Sequence, residues 1–274
     1  MEIVVKDVPV HYRESGSGMP VLAIHGWFSA HQEIAGFLEP FFAGRPGYRR
    51  IYPDLPGMGR TPAPDSINSS DDLLDLMLGL VDRLIGAEPF LVVGHSYGGY
   101  LARAIANRRP GQVAGLALVC PMTTTEYEHW QTPEHVVIHT SGDLSSLDPQ
   151  LAGDFRNYFV VHTPATLSRF QEAVVPVLGQ NDSAGLERID AGGGLRTAPE
   201  AGAAYTRPTL FLLGRQDSTV GYADQWRLLE HYPRATFAVL DRAGHALPHE
   251  QPTLLDALLA EWLDRVAESS AQGK

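Results

Sequence analysis

Two apolar rhythms alternate along this chain. Short unbroken apolar runs lie at Val21 to Ile24, Arg50 to Tyr52, Phe90 to Val93, Val113 to Val119, Leu210 to Leu213 and Thr236 to Leu240. Such runs suit strands of a parallel sheet buried on both faces. Between them the apolar positions recur at helical spacing. His31 to Phe42 carries Ile34, Phe37, Leu38 and Phe41 on one stripe. Ser70 is the expected cap of a second helix, with Asp71 and Asp72 in its first turn and Leu73, Leu74, Met77, Leu80, Val81 and Leu84 on its apolar face. Gly86 stops it. Further helices are expected over Tyr97 to Asn107, Tyr222 to His231 and Pro252 to Val266. Ahead of all of these, Ile3 to Val5 and Val8 to Tyr12 read as a hairpin, and Gly16-Ser17-Gly18 as the turn that follows.

Strands alternating with helices predict an α/β fold: a mostly parallel sheet covered by helices on both faces. The alternation breaks once, after the sixth strand. Residues 121–207 hold two helical patterns, Asp148 to Tyr158 and Thr163 to Leu178, and a Gly192-Gly193-Gly194 stretch. A structureless loop of that length is rare, so the segment is expected to be a helical cap inserted into a core made of residues 1–120 and 208–274.

Composition narrows the partners. The chain has 274 residues, 44% apolar and 19% charged, with a formal net charge of -11. That charge repels nucleic acid backbones and anionic lipid surfaces, so the expected partner is a small-molecule substrate, with no nucleic acid and no membrane. The small basic cluster Arg45, Arg49 and Arg50 reads as a solvated edge leading into a strand. Cys120 is the single cysteine, so an intrachain disulfide is ruled out. Met1 to Ser15 lacks the pattern of a signal peptide, and no apolar stretch reaches membrane-spanning length. A cytoplasmic protein is the expectation. Nothing in the chain speaks to its oligomeric state.

The chemistry concentrates at strand ends. Gly94-His95-Ser96-Tyr97-Gly98-Gly99 fits the pattern G-x-S-x-G, with an apolar strand before it and a helix after it. A turn that sharp leaves no room for side chains beside the serine. It raises the Ser96 hydroxyl above the sheet edge, at a helix N-terminus that favours negative charge. A serine hydroxyl needs a base. His245, in Ala243-Gly244-His245 after the last strand, lies at the same edge and is the expected base. His249 is the rival, but Pro248 and the helix that follows point it outward, and His95 is read as packing beside the turn. Asp217, in Gly214-Arg215-Gln216-Asp217 on the neighbouring loop, is expected to orient His245 and to cap its own turn as well. The backbone N–H groups of Trp27 and Tyr97 are the expected oxyanion donors, with His25 packing the loop.

These motifs, together with His25-Gly26-Trp27 and Asp54-Leu55-Pro56-Gly57-Met58-Gly59, resemble the α/β-hydrolase superfamily. The resemblance covers nearly the whole chain outside the cap. It is nearest to small capped members: esterases, C–C bond hydrolases, proline iminopeptidases and cofactor-free haloperoxidases. It implies an α/β-hydrolase fold and an acyl-serine route with Ser96, His245 and Asp217, without a cofactor or a metal. Ser96 stands where haloalkane dehalogenases and epoxide hydrolases carry Asp. Trp27-Phe28-Ser29 departs from the segment usual in C–C hydrolases, and Tyr97 from the Met common in haloperoxidases. C–C hydrolase, acyltransferase, lyase and receptor-like binder remain open beside the ester reading.

Metal and phosphate sites are not expected. His245 and His249 are separated by Pro248 outside any HExxH pattern, and Gly57-Met58-Gly59 reads as a turn over the site mouth. The pocket walls are expected to include Trp27, Tyr97, Trp130, Phe155 and Phe159. The cations of the cap, Arg156, Arg169 and Arg188, are scattered, so the substrate is expected to be a small to medium, largely apolar ester, thioester or lactone.

Overall fold

In the computed structural model, which describes residues 1–126, 128, 130–144 and 147–272, the chain begins as an antiparallel hairpin of β1 (Glu2–Val5) and β2 (Val8–Gly16). β2 pairs antiparallel with β4 (Tyr48–Pro53). From there every pairing is parallel, through β3 (Met19–Ile24), β5 (Phe90–His95), β6 (Val113–Val119), β9 (Thr209–Gly214) and β10 (Ala235–Leu240). The sheet order is β1-β2-β4-β3-β5-β6-β9-β10. β5 and β9 are buried at every residue, as their unbroken apolar runs require.

Helices α1 (His31–Phe42), α2 (Ser70–Leu84), α3 (Tyr97–Arg108) and α8 (Pro252–Gln272) flank this sheet. α2 is capped one residue earlier than its sequence suggests: the Ser69 side chain accepts the Asp72 N–H, and Ser70 is already helical. Gly86 closes that helix as expected, with φ of 69° and its N–H on the Val81 carbonyl. α8 runs six residues past Val266. The segment expected as a helix over Tyr222 to His231 is instead a 3₁₀ helix, Asp224–His231. Arg50 does not lie on a solvated edge: it is buried and forms a bidentate ion pair with Glu39.

The segment between β6 and β9 carries several short helices separated by coil. It contains a two-strand parallel ladder, β7 (His139–Thr140) with β8 (Val161–His162), and the helices α4 (Pro149–Tyr158), α5 (Pro164–Arg169) and α6 (Ser183–Ala191). The expected helix Thr163 to Leu178 divides into α5, one π turn over Phe170–Val174 and one 3₁₀ turn over Val175–Val177. Pro176, which has no N–H to donate, sits in that last turn. Phe155, Phe159, Phe170, Val174 and Ala246 form a hydrophobic cluster separate from the main core. The π turn packs on α1. A short helix α7 (Leu247–Glu250) precedes α8.

Candidate active site

Three loops at the carboxyl ends of β5, β9 and β10 carry the candidate side chains. Ser96 follows β5 directly and is the N-cap of α3, with φ of 55° and ψ of -120°, a strained backbone for any residue with a side chain. The neighbouring glycines make the turn possible. A Cβ on Gly98 would come within 2.1 Å of the Ile24 carbonyl oxygen, and one on Gly94 within 2.4 Å of the Gly98 carbonyl oxygen. β3, β5 and α3 therefore approach closely enough to hold Ser96 at the sheet edge.

Asp217 and His245 meet. The His245 Nδ1–H donates to Asp217 Oδ2 at 2.9 Å, while Asp217 Oδ1 accepts the N–H groups of Thr219 and Val220 at 2.9 Å each. Both residues are buried. Burial works against the charge on each, but the opposite charge and the shared hydrogen bond outweigh it. They raise the His245 pKa above its ordinary value and lower that of Asp217. The bond through Nδ1 leaves Nε2 to face a reacting group.

Three other histidines serve the scaffold. His25 Nε2 accepts the Leu55 N–H at 3.0 Å, so its Nδ1 carries the proton and donates to the Gly26 carbonyl at 2.7 Å. His95 donates through Nε2 to the His245 carbonyl at 3.3 Å, which ties the β5 loop to the β10 loop. His249 does not face outward: it is 2% exposed, because α7 turns its ring inward against Phe37 and Phe159.

Ser96 and His245 line two cavities that meet at them, of about 290 Å³ and about 640 Å³. Trp27, Phe28 and Tyr158 also belong to both. The larger cavity adds Tyr97, Met122, Trp130, Leu186 and Val220, so Trp27, Tyr97 and Trp130 lie where a pocket wall was expected. The rings of Trp27 and Tyr97 pack edge to face at 4.8 Å. Phe155 and Phe159 do not line either cavity. Both rings are fully buried and stack on each other at 4.7 Å, inside the cluster under α4. The last residue of α4, Tyr158, lines both cavities instead.

Sequence reading missed Glu33. It lies on the buried stripe of α1, four residues before Phe37, and lines the smaller cavity. A carboxylate at an apolar helical position was the available signal. It also missed Glu250, whose carboxylate accepts the N–H groups of Val160, Val161 and Gly244 at 2.6, 3.0 and 2.6 Å. Gly57-Met58-Gly59 lines neither cavity. Met58 is buried and bridges to Asn181, so the turn braces the segment leading into α6.

Among the described residues, two side-chain groups have metal-ligand types close together: His11, His31 and Asp54, and Cys120, Asp217 and His245. In the first, Asp54 already accepts the Nδ1–H of His11 and of His31 and two backbone N–H groups. In the second, the Asp217–His245 bond occupies the nearest atoms, and burial pushes the Cys120 thiol well up, away from thiolate. Among the described residues no helix is long and apolar enough to cross a membrane.

Comparison with known proteins gives the family of the chain. Residues 21–258 match the alpha/beta hydrolase family. The 2-hydroxymuconate semialdehyde hydrolase of Pseudomonas sp. (strain CF600) is 25% identical, over 96% of this chain and 93% of its own. The pimeloyl-[acyl-carrier protein] methyl ester esterase of Legionella pneumophila (strain Paris) is 25% identical, over 86% and 91%. The crystal structure of an alpha/beta superfamily hydrolase from Oenococcus oeni PSU-1 superposes with a TM-score of 0.90 at 29% identity, covering 97% of this chain and 99% of that one. The chain belongs to the alpha/beta hydrolase family, and these relatives are hydrolases.

Proposed function

We propose that this chain is a serine hydrolase of small to medium, largely apolar carboxylic esters. The observation that carries the reading is the 2.9 Å bond from His245 Nδ1 to Asp217, beside a strained Ser96 that shares both cavities with His245. Ser96 Oγ attacks the ester carbonyl and His245 Nε2 takes its proton. His245 then returns that proton to the leaving alcohol, and Asp217 stabilises the imidazolium in between. The backbone N–H groups of Trp27 and Tyr97 hold the oxyanion. Water, activated by His245, releases the acid.

The cavity linings favour this over C–C cleavage of a dicarboxylate. They carry Glu33, Asp154, Glu187 and Asp190 and, among the described residues, no Arg or Lys. A dianion would meet these carboxylates and no fixed cation there. Residues 121–207 act as a cap in this reading: Asn157, Tyr158, Phe170 and Leu186 supply walls of the cavities that contain Ser96, so the inserted segment sets what fits.

The test is hydrolysis of short p-nitrophenyl esters by wild type and Ser96→Ala, with fluorophosphonate labelling of Ser96 in parallel. Wild type is expected to turn over and to label, and Ser96→Ala to do neither. Equal rates for the two proteins would overturn the reading. A folded wild type that resists the label would point to a binding protein instead.

A further inference from the structure

The smaller cavity, about 290 Å³, contains a buried carboxylate whose charge the protein does not balance. Glu33 is 5% exposed and lines this cavity together with Ser96. Its Oε2 accepts the Ser29 hydroxyl and its Oε1 accepts the Tyr158 hydroxyl at 2.7 Å. Those donors are neutral. Burial alone would raise the Glu33 pKa, but it lies below the ordinary carboxylate value, and the Ser29 and Tyr158 hydroxyls, one donating to each oxygen, favour the ionised form. The carboxylate is therefore ionised at neutral pH.

A buried ionised carboxylate ordinarily sits against Arg or Lys, because an isolated charge in an apolar setting is costly. Here the nearest basic atom is His249 Nε2, at 4.0 Å. Burial holds His249 down to about 4, so at neutral pH it brings no charge. Its Nε2 also has no hydrogen-bond partner among the described residues. The rest of the lobe is largely apolar, with Phe170, Val174 and Val177 on its walls. The arrangement is a short, largely apolar sleeve lined by two carboxylates, the buried Glu33 and Asp154, and by no Arg or Lys among the described residues.

We propose that this lobe receives an alkylammonium head of the substrate, and that Glu33 is the residue that selects it. The alkyl part lies against Phe170 and Val174. The ammonium N–H groups donate to the open lone pairs of Glu33, as charge-assisted hydrogen bonds that a hydroxyl makes more weakly and a carboxylate cannot make. The proposal deepens the ester-hydrolase reading and takes from it that the substrate spans Ser96. The preferred esters then carry an amino group on whichever side of the scissile bond enters the smaller lobe.

Binding is measured first, because it needs no turnover. n-Hexylammonium, hexanol and hexanoate are titrated calorimetrically into the wild-type protein, Glu33→Gln and Ser29→Ala. Wild type is expected to bind hexylammonium at least about tenfold more tightly than hexanol, with hexanoate weakest. Glu33→Gln is expected to lose that preference. Ser29→Ala frees one lone pair of the carboxylate and is expected to strengthen it. Hexylammonium binding no tighter than hexanol in wild type would overturn the proposal, whether or not the variants fold. So would a preference that survives Glu33→Gln.

Kinetics then locate the head. Methyl 6-aminohexanoate is compared with methyl heptanoate, and 5-aminopentyl acetate with hexyl acetate, by proton release. One amino ester is expected to exceed its alkyl match about tenfold in kcat/KM. Failure of every ester, with the binding preference intact, would remove the ester reading and leave the ammonium site. Turnover of both alkyl esters in excess of their amino matches would do the reverse.

Discussion

Glu250 accepts the N–H of Gly244 at 2.6 Å, one residue before His245, and with its other oxygen it holds the N–H groups of Val160 and Val161. One buried carboxylate thus joins the loop of the candidate base to the inserted segment. Burial pushes its pKa up to about 7 against those three donors. Glu250→Gln places an amide N–H where an acceptor is needed, so at least one backbone N–H loses its partner. The expected cost is about 1–3 kcal/mol in urea denaturation, with a lower kcat from a displaced His245.

The same residue sets a pH dependence of stability. Its folded pKa lies above the unfolded value near 4.5, so between pH 4.5 and about 7 the folded chain binds more protons than the unfolded chain. Its contribution is complete below that window and is lost as pH rises through about 7. The urea midpoint of wild type minus that of Glu250→Gln is expected to fall from pH 5 to pH 7.5. A difference that rises with pH would contradict this assignment.

His245 should govern activity from the opposite side. It accepts a proton only when neutral, and its pKa is raised above 6.5, so kcat/KM should climb with pH through an inflection above 6.5. Asp217→Asn removes the partner that raises it and leaves burial, which lowers it. That variant is expected to lose about 10³–10⁴-fold in kcat/KM and to move the remaining inflection to lower pH. A pH-rate profile of both proteins checks the two effects together.

Phe155 offers a separate handle on the inserted segment. Its ring is fully buried among Phe159, Phe170 and His162, away from both cavities. Phe155→Ala should cost about 3–5 kcal/mol of local packing. Amide exchange is expected to quicken in α4 and around β8 while β5 and β9 stay protected. Ser96 should still react with a fluorophosphonate, but the ranking of esters should change. Unchanged exchange in α4 would show that the aromatic cluster does not hold the segment together.

The sheet was legible because strands buried on both faces leave unbroken apolar runs, as β3, β5, β6 and β9 do; β10, at the sheet edge, carries such a run although it is only half-buried. Ser96, Asp217 and His245 were legible for a related reason: each follows one of those strands within a few residues. α6 went unread because three glycines follow it and its apolar face is only Leu186 and Ile189. The pocket walls were the least legible. In α4 and at its C-cap, Phe155, Tyr158 and Phe159 lie within one turn and a little more, and composition does not say which of three aromatic rings turns inward. The helix sends the two phenylalanines into the cluster and the tyrosine, with its polar tip, to Glu33. Glu33 itself hid in plain view, since a single charge on an amphipathic stripe reads as solvated until its neighbours are known.

Ser96 lines both cavities, so on the proposed acyl-serine route the two halves of a substrate would occupy different rooms. On an acyl-serine route the alcohol can depart from one room while the acyl group still fills the other. The vacated room is then open to whatever nucleophile fits it. Water enters any such space, but an alcohol of matching shape competes with it and carries the acyl group away intact. On that proposed route, the partition between hydrolysis and acyl transfer would be decided by the contents of the emptied room.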